Sequence, residues 1–230
     1  MQKYIAVFLI ASLLVSLTLI VSPSVYALTC KTYILTATQI NNAYNNIAMQ
    51  YPEKIALDEG LAEQSEWTLT LDYDVLQFTE NQSACYVGFM IDNETDPTGD
   101  DGDGNAELRI HIYGDEMKVF HVNETGQIDT YTVSSWTVPI TIKVYNENGH
   151  YYYNLTDNGS IEHKSTPMKI LYPAYLHYKL KNTTVSSDTS ITFKFCYGMT
   201  TTEAINLWTP IILNIALLGV IVTILKQFTR

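Results

Sequence analysis

Trp67-Thr68-Leu69-Thr70-Leu71-Asp72-Tyr73-Asp74-Val75 alternates without a break between apolar and polar residues. Successive side chains of a strand point to opposite faces. Trp67, Leu69, Leu71, Tyr73 and Val75 therefore share one face, and Thr68, Thr70, Asp72 and Asp74 the other. Such a strand lies half-buried in an antiparallel sheet. Comparable runs follow at 84–92, 107–113, 116–122, 129–134, 138–146, 150–156, 175–182 and 190–197. Turn sequences separate them: Asp-Gly pairs at 101–104, Tyr113-Gly114-Asp115, Thr125-Gly126, Asn148-Gly149 and Asn158-Gly159. The hairpin Ile140–Tyr153 around Asn146-Glu147-Asn148-Gly149 is the clearest local feature. Many short antiparallel strands at this spacing predict a sandwich or barrel. Residues 36–66 differ. Ile40, Tyr44 and Ile47 recur at helical spacing and Pro52 ends the pattern, which predicts a short helix or two at the sandwich edge.

Two apolar stretches flank this region. Lys3 precedes an apolar run from Ile5 to Val21, and Val25-Tyr26-Ala27 supplies the small residues a signal peptidase accepts. Residues 1–27 thus have the three parts of a secretory signal, with an uncleaved anchor as the alternative. The segment Ala27-Leu28-Thr29-Cys30 lacks the small residue expected before a lipid-modified cysteine. The second stretch, residues 205–225, would span roughly 31 Å as a helix, close to the thickness of a bilayer core. Trp208 stands at its outer end, Pro210 falls near its first turn, and Lys226 and Arg230 close the chain. A GPI signal would end on apolar residues instead. The expected plan is a signal at 1–27, an ectodomain at 28–204 with a mixed, partly helical part at 28–66, a transmembrane helix at 205–225 and a cytoplasmic tail at 226–230.

The 230 residues carry a net charge of −11. Lys3, Lys226 and Arg230 lie in the flanks, so the middle is more acidic still. Phosphate binding needs a basic patch, so no nucleic-acid partner is expected. Aromatic residues make up 12% and include 17 tyrosines, which speaks for a packed core against disorder.

Six Asn-x-Ser/Thr sequons fall within 28–204, at Asn81, Asn93, Asn123, Asn154, Asn158 and Asn182. Beside a signal sequence they predict an N-glycosylated surface protein. The three cysteines are Cys30, Cys85 and Cys196, so one bridge and one free thiol are expected. Alternation in 190–197 puts Cys196 opposite the apolar face, with Thr192 and Lys194. Cys85 shares the face of Val87, Phe89 and Ile91, like a small buried hydrophobe. Cys30–Cys196 is the expected bridge and Cys85–Cys196 the alternative. No spacing of cysteine and histidine suits zinc.

The stretch from Asp92 to Glu107 holds seven carboxylates in 16 residues. Asp96, Asp100, Asp101, Asp103, Asn105 and Glu107 are candidate ligands for Ca²⁺, which takes many flexible oxygens. Asp101-x-Asp103-x-Asn105 has the spacing of an EF-hand start. However, Ala106 replaces the required glycine and no glutamate stands twelfth. A solvated acidic loop is the competing reading. Tyrosines crowd the hairpin region, and aromatic rings stack on sugar C–H faces, so Tyr145, Tyr151 and Tyr153 are candidates for glycan contact. Core packing of strand tyrosines is the alternative. Tyr151 and Tyr152 must face opposite ways. No nucleophile motif, phosphate loop or His-Glu-x-x-His occurs, and the five histidines are scattered. No catalytic residue is therefore expected.

Trp136-x-x-Pro139-Ile-Thr-Ile-Lys-Val-Tyr-Asn146 followed by His150-Tyr-Tyr-Tyr-Asn154 resembles the central hairpin of concanavalin A-like, laminin-G-type jelly rolls. Tyr172-Pro-Ala-Tyr-Leu-His-Tyr178, the closing run Ser190–Phe195 and the opening run Trp67–Val75 fit the same order, so the resemblance covers about 65–198. It implies an all-β antiparallel jelly-roll sandwich and, because such folds often take glycans, an extracellular glycan or protein ligand. The expectation is a single-pass cell-surface or viral-envelope glycoprotein serving binding, adhesion or an envelope role. The alternative is a membrane-anchored carbohydrate-active enzyme, which would show two facing carboxylates in a groove.

Overall fold

A computed structural model describes residues 28–47, 50–80, 84–94, 105–157 and 160–198, with Thr209, Leu213, Asn214, Ala216 and Gly219 beyond them. The elements are β1 (Thr29–Thr36), α1 (Ala37–Asn42), β2 (Glu53–Ala56), α2 (Glu59–Ala62), β3 (Trp67–Tyr73), β4 (Tyr86–Asp92), β5 (Leu108–Ile112), β6 (Met117–Val122), β7 (Ile128–Val133), β8 (Ile140–Glu147), β9 (His150–Asp157), β10 (Ser160–Lys164), β11 (Tyr175–Lys181) and β12 (Ser190–Tyr197). They form two six-stranded sheets. Sheet I has the order β1-β12-β3-β8-β9-β10 and sheet II the order β2-β11-β4-β5-β6-β7. The fold is all-β, as the alternating runs predict.

β3 shows how the pattern becomes structure. Trp67, Leu69 and Leu71 are buried between the sheets, while Thr68, Thr70 and Asp72 face outward. It pairs antiparallel with β12 on one side, Leu71 opposite Phe193, and with β8 on the other, Leu71 opposite Ile140. The inner faces interdigitate. Phe89 of sheet II meets Phe193 of sheet I edge-on with ring centroids 4.7 Å apart. Trp67 packs on Phe195 and donates its indole N–H to the Leu171 carbonyl at 3.1 Å.

The β8–β9 hairpin closes through Asn148-Gly149, with φ of 56° and 88°. Glu147 lies opposite His150, so the loop has two residues, the type I′ geometry that Asn-Gly favours. A Cβ at Gly149 would meet nothing within 4 Å, so a side chain there is opposed by backbone conformation alone. Gly149→Ala is expected to cost about 1 kcal/mol in urea unfolding. Gly149→Asn should cost less. Equal, negligible losses for both would contradict this turn.

Three differences from the sequence reading stand out. α1 is capped by Thr36, whose hydroxyl accepts from Gln39 N while Gln39 returns a carbonyl to Thr36 N at 3.0 Å. It stops at Asn42, so Tyr44 and Ile47 lie past it and are exposed. The cause is competition for the backbone: Leu180 N donates to Ala43 O and Asn45 N to Leu180 O, so the chain joins β11 instead of continuing the helix. Secondly, β1, β2 and β10 were not foreseen. Thirdly, His111 and His121, scattered in the sequence, come to lie on adjacent strands, on opposite faces, and both are buried.

The chain divides into two compact units, residues 30–197 and the flanks 1–29 with 198–230. Within the first, Cys30 and Cys196 are bridged with Cα atoms 4.1 Å apart, so the strands that begin and end it lie side by side. Asp58 ties the same end together, accepting from Tyr197 Oη at 2.9 Å and pairing with Lys31 at 3.2 Å. Those two donors hold its carboxyl below the usual range. Leu57 N donates to Ala174 O and Ala174 N to Asp92 O, which places the start of the acidic segment at this end too. Among the described residues no helix is long and apolar enough to cross a membrane. The expected signal, the tail and most of the expected anchor lie outside the described residues.

Candidate functional site

The two-residue turn fixes the register of the hairpin, and the register decides which tyrosines meet. Tyr145 lies opposite Tyr152, and both rings stand on the outer face of sheet I, stacked at 6.0 Å and 29°. Lys164 of the neighbouring β10 sits 4.4 Å from the Tyr152 ring and 5.8 Å from Tyr145, and pairs with Glu147. Asn154 lies on the same face, opposite Lys143 on β8 and Lys164 on β10. The Tyr145 hydroxyl donates to Asn154 Oδ1 at 3.2 Å. The expected trio of Tyr145, Tyr151 and Tyr153 is therefore divided. Tyr151 faces inward, half-buried, and donates to Ser65 Oγ at 3.1 Å. Tyr153 is 0% exposed in the core. Tyr152 takes the place beside Tyr145. Counting outward from a two-residue turn would have found it.

The other expected residues fall as follows. The Cys30–Cys196 bridge is formed, and Cys85 is free and buried, its thiol 3.0 Å from Asn182 O. Asp96, Asp100, Asp101 and Asp103 lie outside the described residues. Asn105 and Glu107 are engaged, Asn105 Nδ2 with Glu94 and Glu107 with Arg109. Among the described residues no group of three His, Cys, Asp or Glu is placed to hold a metal. Of the sequons, Asn81 and Asn158 lie outside the described residues. Asn93 is exposed. Asn123 Oδ1 accepts from Thr125 N, Thr125 Oγ1 and Gln127 N, closing its own turn. Asn182 has φ 56° and donates to Ala84 O at 3.4 Å.

The outer face of sheet II carries a feature that the sequence did not suggest. β4 is buried at every position, and on its outer side Ile47 and Tyr51 lie against the sheet, Ile47 O over Lys179 and Tyr51 Oη at His111. Arg109, His111, His177, Lys179 and Asp92 are all buried there. Lys179 Nζ donates to Ile47 O at 2.6 Å and lies 5.6 Å from the Tyr51 ring and 5.8 Å from the Tyr86 ring. Burial, with Lys181 and Arg109 nearby, pulls its pKa down to about 8. His177 Nε2 lies 3.0 Å from Asp92 Oδ1 and 3.1 Å from the Glu94 carbonyl. His111 meets Tyr51 Oη at 2.7 Å and stacks on Tyr86 at 4.3 Å. Gly88 is required beneath that stack, since a Cβ would approach Tyr86 to 3.0 Å and His111 to 3.1 Å.

Burial first, and then the charges of Arg109, Lys179, Lys181 and Lys118, push the His111 pKa down to about 3. Burial also lowers His121, which shares its Nε2 with Thr166 at 3.0 Å, and His163, which stacks on Tyr131 at 3.7 Å. A histidine kept neutral when folded binds its proton only on unfolding, so stability falls as pH falls. Between pH 6.5 and 3 His111 should contribute a slope of about 1.4 kcal/mol per pH unit, and His121 and His163 add in the same direction. The check is the urea midpoint between pH 7 and 4. His111→Gln should flatten the decline, and an unchanged pH dependence in that variant would remove His111 as its source.

These observations define a disulfide-bonded antiparallel sandwich with a polar layer behind one sheet and an aromatic pair on the other. No family profile and no curated protein matches the chain. Solved structures similar to it include the botulinum neurotoxin serotype D ligand-binding domain in complex with N-acetylneuraminic acid, at TM-score 0.42 and 9% identity over 77% of this chain and 45% of that one. The type G receptor-binding domain gives 0.40 and 13% over 80% and 46%, and the C/D mosaic domain 0.43 and 8% over 79% and 46%. The chain thus spans less than half the length of each. What those domains bind is a property of those domains.

Proposed function

We propose that the protein is a single-pass cell-surface or viral-envelope glycoprotein that displays its β-sandwich for binding or adhesion. The supporting observation is the Cys30–Cys196 bridge, which sets the beginning and end of the sandwich side by side. Tethering through those two neighbouring strands suits a domain displayed for a partner. Export suits the bridge, because such links persist in oxidising compartments. On the outer face the Tyr145–Tyr152 pair supplies ring surface and hydroxyls suited to a carbohydrate. Ca²⁺ would neutralise the repulsion among the carboxylates between Asp92 and Glu107. A melting temperature unmoved by Ca²⁺ would remove that part alone.

The test uses the full chain with a C-terminal tag, expressed in cells that export and glycosylate. Protease added to intact cells should destroy the sandwich epitope and spare the tag. A reduced, glycan-free chain in the cytosol would overturn the proposal. Protein in which Asn154 carries no glycan should bind sugars in an array, and Tyr145→Ala or Tyr152→Ala should abolish that binding.

A further inference from the structure

We infer that the sugar held by the Tyr145–Tyr152 pair is the protein's own, the N-linked glycan of Asn154. This rests on the export reading above and deepens its carbohydrate platform. Three features of the hairpin carry it. Asn154 is two residues from Tyr152 on the same face of β9, a separation of roughly 7 Å. It is the diagonal neighbour of Tyr145 across the β8–β9 pair, within reach of an aromatic side chain. Lastly, the Tyr145 hydroxyl already grips the Asn154 amide through Oδ1 at 3.2 Å. A sugar joined to Nδ2 of that amide begins beside two stacked rings.

During export Nδ2 attacks the anomeric carbon of a lipid-linked oligosaccharide. The C1–N bond forms, the C1–O bond to the lipid diphosphate breaks, the amide gives up one proton and the diphosphate leaves. Attachment precedes folding, so a position inside a strand is no obstacle. When β9 then pairs with β8, the first N-acetylglucosamine is carried to the rings, with its C–H face and acetamido methyl available for stacking. In the structure the Lys164 ammonium lies over the Tyr152 ring and pairs with Glu147, so a sugar on that ring takes the ammonium's place while the Glu147 pair is kept. Asn123 offers an internal control. Its amide oxygen closes a turn away from these rings.

The experiment takes the full chain, purified in detergent from eukaryotic secretory cells. Glycopeptide mass spectrometry first reads occupancy at Asn154 and Asn123. Native peptide-N-glycosidase then reports the release rate at each site for the unaltered chain, Tyr145→Ala, Tyr152→Ala and Tyr152→Phe. A ring contact of ordinary strength predicts release from Asn154 about three- to tenfold faster in the alanine variants, with Asn123 unchanged and Tyr152→Phe close to the unaltered chain. If Asn154 is occupied but its release rate ignores the tyrosines, or rises equally at Asn123, the inference falls and the export reading stands. If Asn154 carries no glycan while another of the six sequons does, the inference falls and the export reading stands; if none of the six does, both fall.

Discussion

Replacing Cys30 and Cys196 together by alanine lowers the stability of the sandwich by about 5 kcal/mol, enough to move the melting temperature by roughly 10–20 °C. The magnitude follows from chain entropy. The bridge joins residues 166 apart in sequence, so it removes most of the long loop conformations open to the unfolded chain. It also acts at an edge. β1 borders sheet I on one side only, through β12, and without the covalent link β1 is free to peel away. With it would go Tyr33, which packs edge-on against Phe195, and Lys31, which pairs with Asp58. The double substitution avoids leaving a thiol that could attack elsewhere. Cys85→Ala is the control, since Cys85 is buried and unbridged. Thermal melts with and without reductant measure the effect. A double variant that melts with the unaltered protein would show that the sandwich closes without its bridge.

Phe89→Ala and Phe193→Ala should each cost about 3–5 kcal/mol. Each ring is fully buried, on strands flanked on both sides by others, so neither cavity collapses easily. The two rings meet edge-to-face across the gap between the sheets. They should therefore couple, and the double variant should lose about 0.5–1.5 kcal/mol less than the sum of the singles. Urea unfolding of the four proteins completes the cycle. Strict additivity would mean that the sheets do not meet at this contact. Against a total stability of about 5–15 kcal/mol, either single substitution approaches the threshold for folding.

The strands that the sequence revealed are mostly those with neighbours on both sides. β3, β8 and β12 alternate clearly, and β4, buried on both faces, reads as a continuous apolar run instead. β1, β2 and β10 are sheet edges, and β2 places only Ile55 against the core. An edge strand covers little core, so its apolar residues are too few to form a pattern. The site divides in the same way. Alternation in 190–197 was enough to turn Cys196 outward and free it for Cys30. The tyrosine trio went astray because alternation gives faces within one strand, whereas the partner across the hairpin depends on loop length. The layer behind sheet II was illegible for a different reason. Arg109, His177 and Lys179 occupy positions that normally meet water, and their burial depends on tertiary contacts such as that of Lys179 with Ile47 O.

The paired terminal strands also bear on mechanics. If the C-terminal flank is the tether, tension from the membrane reaches the protein at Tyr197, one residue past the sulfur bridge. The load enters through β1 and β12 together and crosses the sandwich to wherever a partner is bound.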